Sequence, residues 1–159
     1  MNLRLEKFDC KVIKILRKYS DEISRGALFI IFVWFGFLKT IGLSPAAELV
    51  VALMNETFLN GLSPDMFLIG FGWFEVLIGI MVLFPRVERF TFLFMGFHMM
   101  TTVMPLFLLT EVAWYAPFVP TLVGQYIIKN LALISVGLLL FARLKPMTKT
   151  HKISGEEYK

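Results

Sequence analysis

One carboxylate, two lysines, a histidine and a glutamine stand inside otherwise apolar stretches: Glu75, Lys39, Lys129, His98 and Gln125. An ionisable group in a bilayer span costs a few kcal/mol and faces protein or a cavity, not lipid. Counting helical rise from the outer ends of the stretches puts Glu75, Lys129 and His98 at roughly 12–17 Å depth, near the midplane. Lys39 and Gln125 fall one or two turns nearer the outer surface. The expected arrangement is a Glu75–Lys129 pair from the second and fourth spans, roofed by Lys39 and Gln125. Trp34, Trp73 and Tyr126 are the expected pocket walls. One carboxylate beside two lysines and a histidine leaves surplus donors, which suit an anionic or carbonyl-bearing ligand. The alternative is structural: the Glu75–Lys129 pair pins two helices, His98 donates to a backbone carbonyl, and Lys39 snorkels to headgroups.

Other chemistries have fewer of the residues they need. A bis-histidine haem requires two intramembrane histidines, whereas the second histidine, His151, lies in the C-terminal tail. Met95/Met99 and Met100/Met104 have a spacing open to a soft copper site, but methionine is also an ordinary apolar filler. No metal is assigned. Phosphate loops, zinc spacings and hydrolase elbows are absent from the sequence. The single cysteine, Cys10, excludes an intramolecular disulfide.

The elements that must position these residues are membrane spans. Hydrophobic residues make up 57% of the 159, above the 45–50% or so of soluble domains. Four apolar runs stand out: Ala27–Ile41, Met66–Phe84, Phe90–Leu109 and Thr121–Ala142. The last three each reach roughly 30 Å as helices, the thickness of the hydrocarbon core. The first borrows flanking residues. Spans are therefore expected at about 23–43, 66–84, 90–109 and 121–142. Of the 16 Lys and Arg residues, only Lys39 and Lys129 fall inside the runs. The rest precede the first run, separate the second from the third at Arg86 and Arg89, or follow the fourth. By the positive-inside rule both termini are cytoplasmic in a multi-pass cell (inner) membrane protein. The net charge of +4 then meets anionic lipid, not nucleic acid.

Residues 1–22 read as a basic amphipathic segment. Leu5, Phe8, Val12, Ile15 and Tyr19 recur at helical spacing, and Arg4, Lys7, Lys11, Lys14 and Lys18 recur likewise on another face, as expected of a surface-lying helix. Ser44-Pro45 starts an interfacial helix that ends at Asn60-Gly61, and Ser63-Pro64 starts the second span. Trp114 and Tyr115 fall where an aromatic belt belongs, with Pro117 and Pro120 breaking the loop. Residues 144–159 form a polar cytoplasmic tail. The first span reads as an uncleaved anchor. The expected fold is all-α: a four-helix transmembrane bundle over 23–143, with an N-terminal amphipathic helix and an interfacial helix between spans one and two.

Three segments carry a family resemblance. They are Phe32-Val33-Trp34-Phe35-Gly36-Phe37-Leu38-Lys39 followed by Gly42-Leu43-Ser44-Pro45, Gly72-Trp73-Phe74-Glu75-Val76-Leu77-Ile78-Gly79, and Tyr126-Ile127-Ile128-Lys129-Asn130-Leu131. In order and spacing the chain resembles the DoxX-like small integral membrane proteins, in the broad grouping that includes the DUF417 family, over roughly residues 24–143. That resemblance implies a four-helix membrane bundle, with Lys39, Glu75 and Lys129 at family-type positions. It also implies a quinone-associated redox or redox-stress role, with quinone as a non-covalent cofactor and a redox partner subunit or a homo-oligomer as partner. Other members of the wider grouping resemble assembly factors, so a non-enzymatic scaffold is the second expectation. His98 and the methionines of the third span lie outside the family pattern.

Overall fold

The computed structural model describes residues 3–57 and 61–144. Asn60, His151 and the expected tail beyond Leu144 lie outside those residues. In chain order the elements are α1 (Leu3–Thr40), α2 (Ala47–Asn55), α3 (Pro64–Val82), a 3₁₀ turn (Pro85–Val87), α4 (Glu88–Val103), α5 (Pro105–Leu108) and α6 (Thr110–Ala113). They are followed by β1 (Trp114–Ala116), β2 (Val119–Pro120), α7 (Leu122–Lys129) and α8 (Leu131–Ala142). Four helical stretches are long and apolar enough to cross a membrane: Leu5–Thr40, Pro64–Val82, Pro85–Leu108 and Leu122–Ala142. They pack together as a four-helix membrane bundle.

α1 lies chiefly against α3, α4 packs on α3 and α8, and α8 returns to α1. Leu28 and Phe32 of α1, Ile78 and Val82 of α3, Met95 and Met99 of α4 and Leu140 of α8 form the core. The outer face is equally apolar, with Phe37, Leu77, Leu93 and Leu139 all exposed. An apolar exterior around buried polar side chains suits a lipid solvent.

Two interruptions shape the spans. Pro105 has no N–H to donate and ends α4 two residues earlier, so the third span finishes in the single-turn α5. The fourth span divides at Asn130, whose N–H bonds Ile127 O in a tightened turn before α8 resumes. The expected loop breakers Pro117 and Pro120 instead flank or enter a small antiparallel hairpin, with Phe118 at φ 61° in its turn. Trp114 Nε1 ties this hairpin to α5 by donating to Leu106 O at 3.0 Å.

The amphipathic segment and the first span are one uninterrupted helix, not a surface helix followed by a separate span. Residues 3–25 contain neither Gly nor Pro, so no residue type there ends helical hydrogen bonding. At 38 residues, α1 is about 57 Å long and outruns a 30 Å hydrocarbon core. Ser44 accepts from Ala46 N, and the interfacial helix begins at Ala47. With 9 residues α2 is too short to span.

The basic ends of the helices are pinned together. Arg25 of α1 donates to Val82 O at 2.7 Å, satisfying a carbonyl at the C-terminus of α3. It also pairs with Glu88, the first residue of α4. Asp21 of α1 pairs with Arg143, just past α8.

Candidate functional site

The site begins with glycine. Gly36 on α1 and Gly72 on α3 leave their backbones in close apposition. A Cβ on Gly36 would lie 2.8 Å from Glu75 Cβ, and one on Gly72 would lie 2.9 Å from Lys39 Cβ. Each glycine therefore makes room for the charged residue of the opposite helix. Further along, Gly79 does the same for Val33 and Phe32. Glu75 is drawn against α1 by this small-residue face of α3, as interhelical packing in a membrane favours.

Lys39 Nζ donates to Glu75 Oε2 at 2.6 Å, and His98 Nε2 lies 3.1 Å from Glu75 Oε1. Lys39, Glu75 and His98 are 6%, 5% and 4% exposed, so three helices contribute one buried polar cluster. Each carboxylate oxygen has a different partner. In a medium without water such satisfaction is what makes a buried carboxylate tolerable. Thr101 and Thr102 both donate to His98 O, at 2.7 and 2.9 Å. Those bonds hold the two threonines on the His98 stripe that continues to buried Pro105.

The enclosure is phenylalanine. The imidazole lies edge-on to Phe32 at 5.4 Å between centroids, with Phe71 at 5.1 Å and Phe74 at 6.3 Å. Lys39 Nζ is 5.8 Å from the Phe71 ring, within cation–π range. One atom in this enclosure lacks a partner. His98 Nδ1 is buried and has no hydrogen bond among the described residues. The tautomer that donates from Nε2 to the carboxylate leaves an acceptor lone pair on Nδ1. A proton arriving at Nδ1 can leave from Nε2 toward Glu75, so the triad has the connectivity of a short proton relay.

The expected Glu75–Lys129 pair is not formed. Glu75 takes its lysine from α1, and Lys129 stands on the exposed side of α7 with its ammonium 5.1 Å over the Tyr126 ring. The α1–α3 glycine contact sets Lys39 against Glu75 and encloses the pair. Gln125 is also exposed and does not roof the cluster. The expected wall residues Trp34, Trp73 and Tyr126 face outward, at 64%, 58% and 61% exposure. Trp34 and Trp73 sit beside the inward-facing Val33 and Gly72, and one residue along a helix turns the side chain by about 100°. The actual walls follow helical spacing only within each helix: Phe32 stands four residues before Gly36, Phe71 four before Glu75, and Phe74 beside Glu75. Gly36-x-x-Lys39 and Gly72-x-x-Glu75 share one spacing, which becomes a pairing only because α1 packs on α3. No family model, curated protein or solved structure matches this chain.

Proposed function

We propose that this chain is a DoxX-like, quinone-associated redox or redox-stress component of the cell membrane, with the Lys39–Glu75–His98 cluster as its ligand site. The observation that carries the reading is His98 Nδ1, an unpaired polar atom in an otherwise satisfied buried cluster. Buried polar atoms are paired in folded proteins, so a vacant acceptor points to a bound group. Lys39 adds donors, since its ammonium has three and Glu75 takes one. Lys39 would donate to an oxygen of a quinone head, and His98 Nδ1 would accept from a hydroxyl of the reduced, quinol form. Quinone supplies the electron-accepting chemistry. Glu75 and His98 carry protons, Lys39 holds the Glu75 charge, and a partner subunit or soluble donor delivers electrons. The basic segments Lys7–Lys18, Arg86–Arg89 and Arg143 support cytoplasmic termini.

Titrating the detergent-purified protein with a short-chain quinol analogue, kept reduced, tests this. Saturable binding that weakens at least about tenfold in both Glu75→Gln and His98→Phe is the expected result. Equal affinity in wild type and both variants would overturn it.

A second reading, an assembly factor or scaffold, is favoured by a different observation. Gln125, Tyr126 and Lys129 make a polar face on the outside of α7, and Lys129 is roughly 12 Å into its span by helical rise. A charge there seeks a partner helix or the headgroups. Cross-linking through Cys substituted at Gln125 checks it: a discrete adduct with another membrane protein favours the scaffold, and none disfavours it.

A further inference from the structure

A groove of about 460 Å³ runs along the outside of the bundle beside the N-terminal half of α3. Met66, Phe67, Gly70, Phe71 and Phe74 line it together with Phe97 of α4. Its size is that of a small-ligand site. Two of its walls are also walls of the buried cluster: Phe71 and Phe74 line the groove and make the ring contacts with His98. Phe71 additionally lies beside Lys39 Nζ. A single phenyl ring is therefore shared between the lateral groove and both polar groups that retain hydrogen-bonding capacity.

The lining suits a flat ring. Phe67 and Phe71 stack at 6.0 Å with their planes 11° apart, so the lining offers ring faces and edges to an aromatic ligand. Gly70 lies between them in sequence, and a Cβ there would meet nothing within 4 Å, so the floor stays open.

We infer that this groove is the lateral entry and binding site for a lipid-soluble planar aromatic alcohol, whose hydroxyl reaches His98 Nδ1 when Phe71 rotates aside. The proposal rests on the reading of the triad as a ligand site and adds its route and ligand class. The hydroxyl is specified because Nδ1, in the tautomer that donates to Glu75, needs a donor. The aromatic body is specified by the stacked wall. Entry from the side is specified by Phe71, which belongs to both spaces.

The test uses the full-length protein in detergent and two probes, 1-naphthol and 1-methoxynaphthalene, which share a ring system and differ in the O–H. Equilibrium dialysis should give saturable naphthol binding, about three- to tenfold tighter than the ether, the scale of one net hydrogen bond. Gly70→Leu fills the groove from an open surface position and should weaken both probes at least tenfold. His98→Phe keeps the aromatic packing and should abolish the preference for naphthol while ether binding persists. Equal binding of the two probes to wild type would sink both the ligand class and the triad site. Hydroxyl preference that disappears in His98→Phe but is untouched in Gly70→Leu would leave the triad reading standing and overturn the groove.

Discussion

Gly36 and Gly72 face one another across the α1–α3 contact so closely that a Cβ on either would lie within 2.7 Å of the other's carbonyl oxygen. The two helices run in opposite directions, and their glycines are each three residues before a charged residue. Antiparallel approach therefore sets Gly36 opposite Glu75 and Gly72 opposite Lys39. The ion pair is a consequence of backbone proximity.

A methyl group at either position collides with main chain, which cannot rotate away. Gly36→Ala and Gly72→Ala should each destabilise the detergent-solubilised protein by about 1–3 kcal/mol, the usual cost of overpacking. Gly26→Ala, where a Cβ meets nothing within 4 Å, should be neutral or stabilise by up to about 1 kcal/mol through helix propensity. Thermal unfolding of the three variants makes the comparison.

The two intramembrane lysines should behave oppositely. Lys39→Met strips Glu75 of its closest partner and should cost about 3–5 kcal/mol, as breaking a buried ion pair does. Lys129→Met removes a charge from an exposed face and should leave the midpoint unchanged or raised. Equal losses in the two variants would contradict the observed pairing.

The double variant Lys39→Met/Glu75→Leu should recover part of the stability lost in Lys39→Met, the rest being withheld because His98 Nε2 loses its carboxylate partner. An apolar pair of similar volume avoids both desolvation penalties. The coupling energy from the full cycle of four proteins measures this directly. Additive losses would mean that the two side chains do not interact.

At the basic end, Arg25 and Asp21 separate buried from exposed pairing. Arg25→Met loses the Val82 carbonyl cap together with the partner of Glu88, which is 8% exposed. About 2–4 kcal/mol of destabilisation is expected from the unpaired buried charge and orphaned carbonyl. Asp21→Asn breaks a largely exposed pair with Arg143 and should cost at most about 1 kcal/mol, less in high salt. Denaturation at two ionic strengths tests both.

Four spans, the short interfacial helix and the presence of buried charge were all legible in the sequence. Those features depend on length, apolar content and the cost of charge in hydrocarbon, each of which is a property of local residue order. Glu75 could also be oriented from Gly72 and Gly79, because residues one turn apart share a helix face whatever the fold. Which lysine meets Glu75 was decided only by tertiary structure. Lys39 and Lys129 both stand at workable depths, and depth along a helix says nothing about rotation around it or about which helix is its neighbour. The α1–α3 glycine contact made that choice, turned Trp34 and Trp73 to the outside, and left Lys129 on the lipid side of α7. Likewise, the third-span stripe of His98, Thr101 and Thr102 could be read along the chain, but the empty Nδ1 among three phenylalanine rings exists only once α1, α3 and α4 have closed around it.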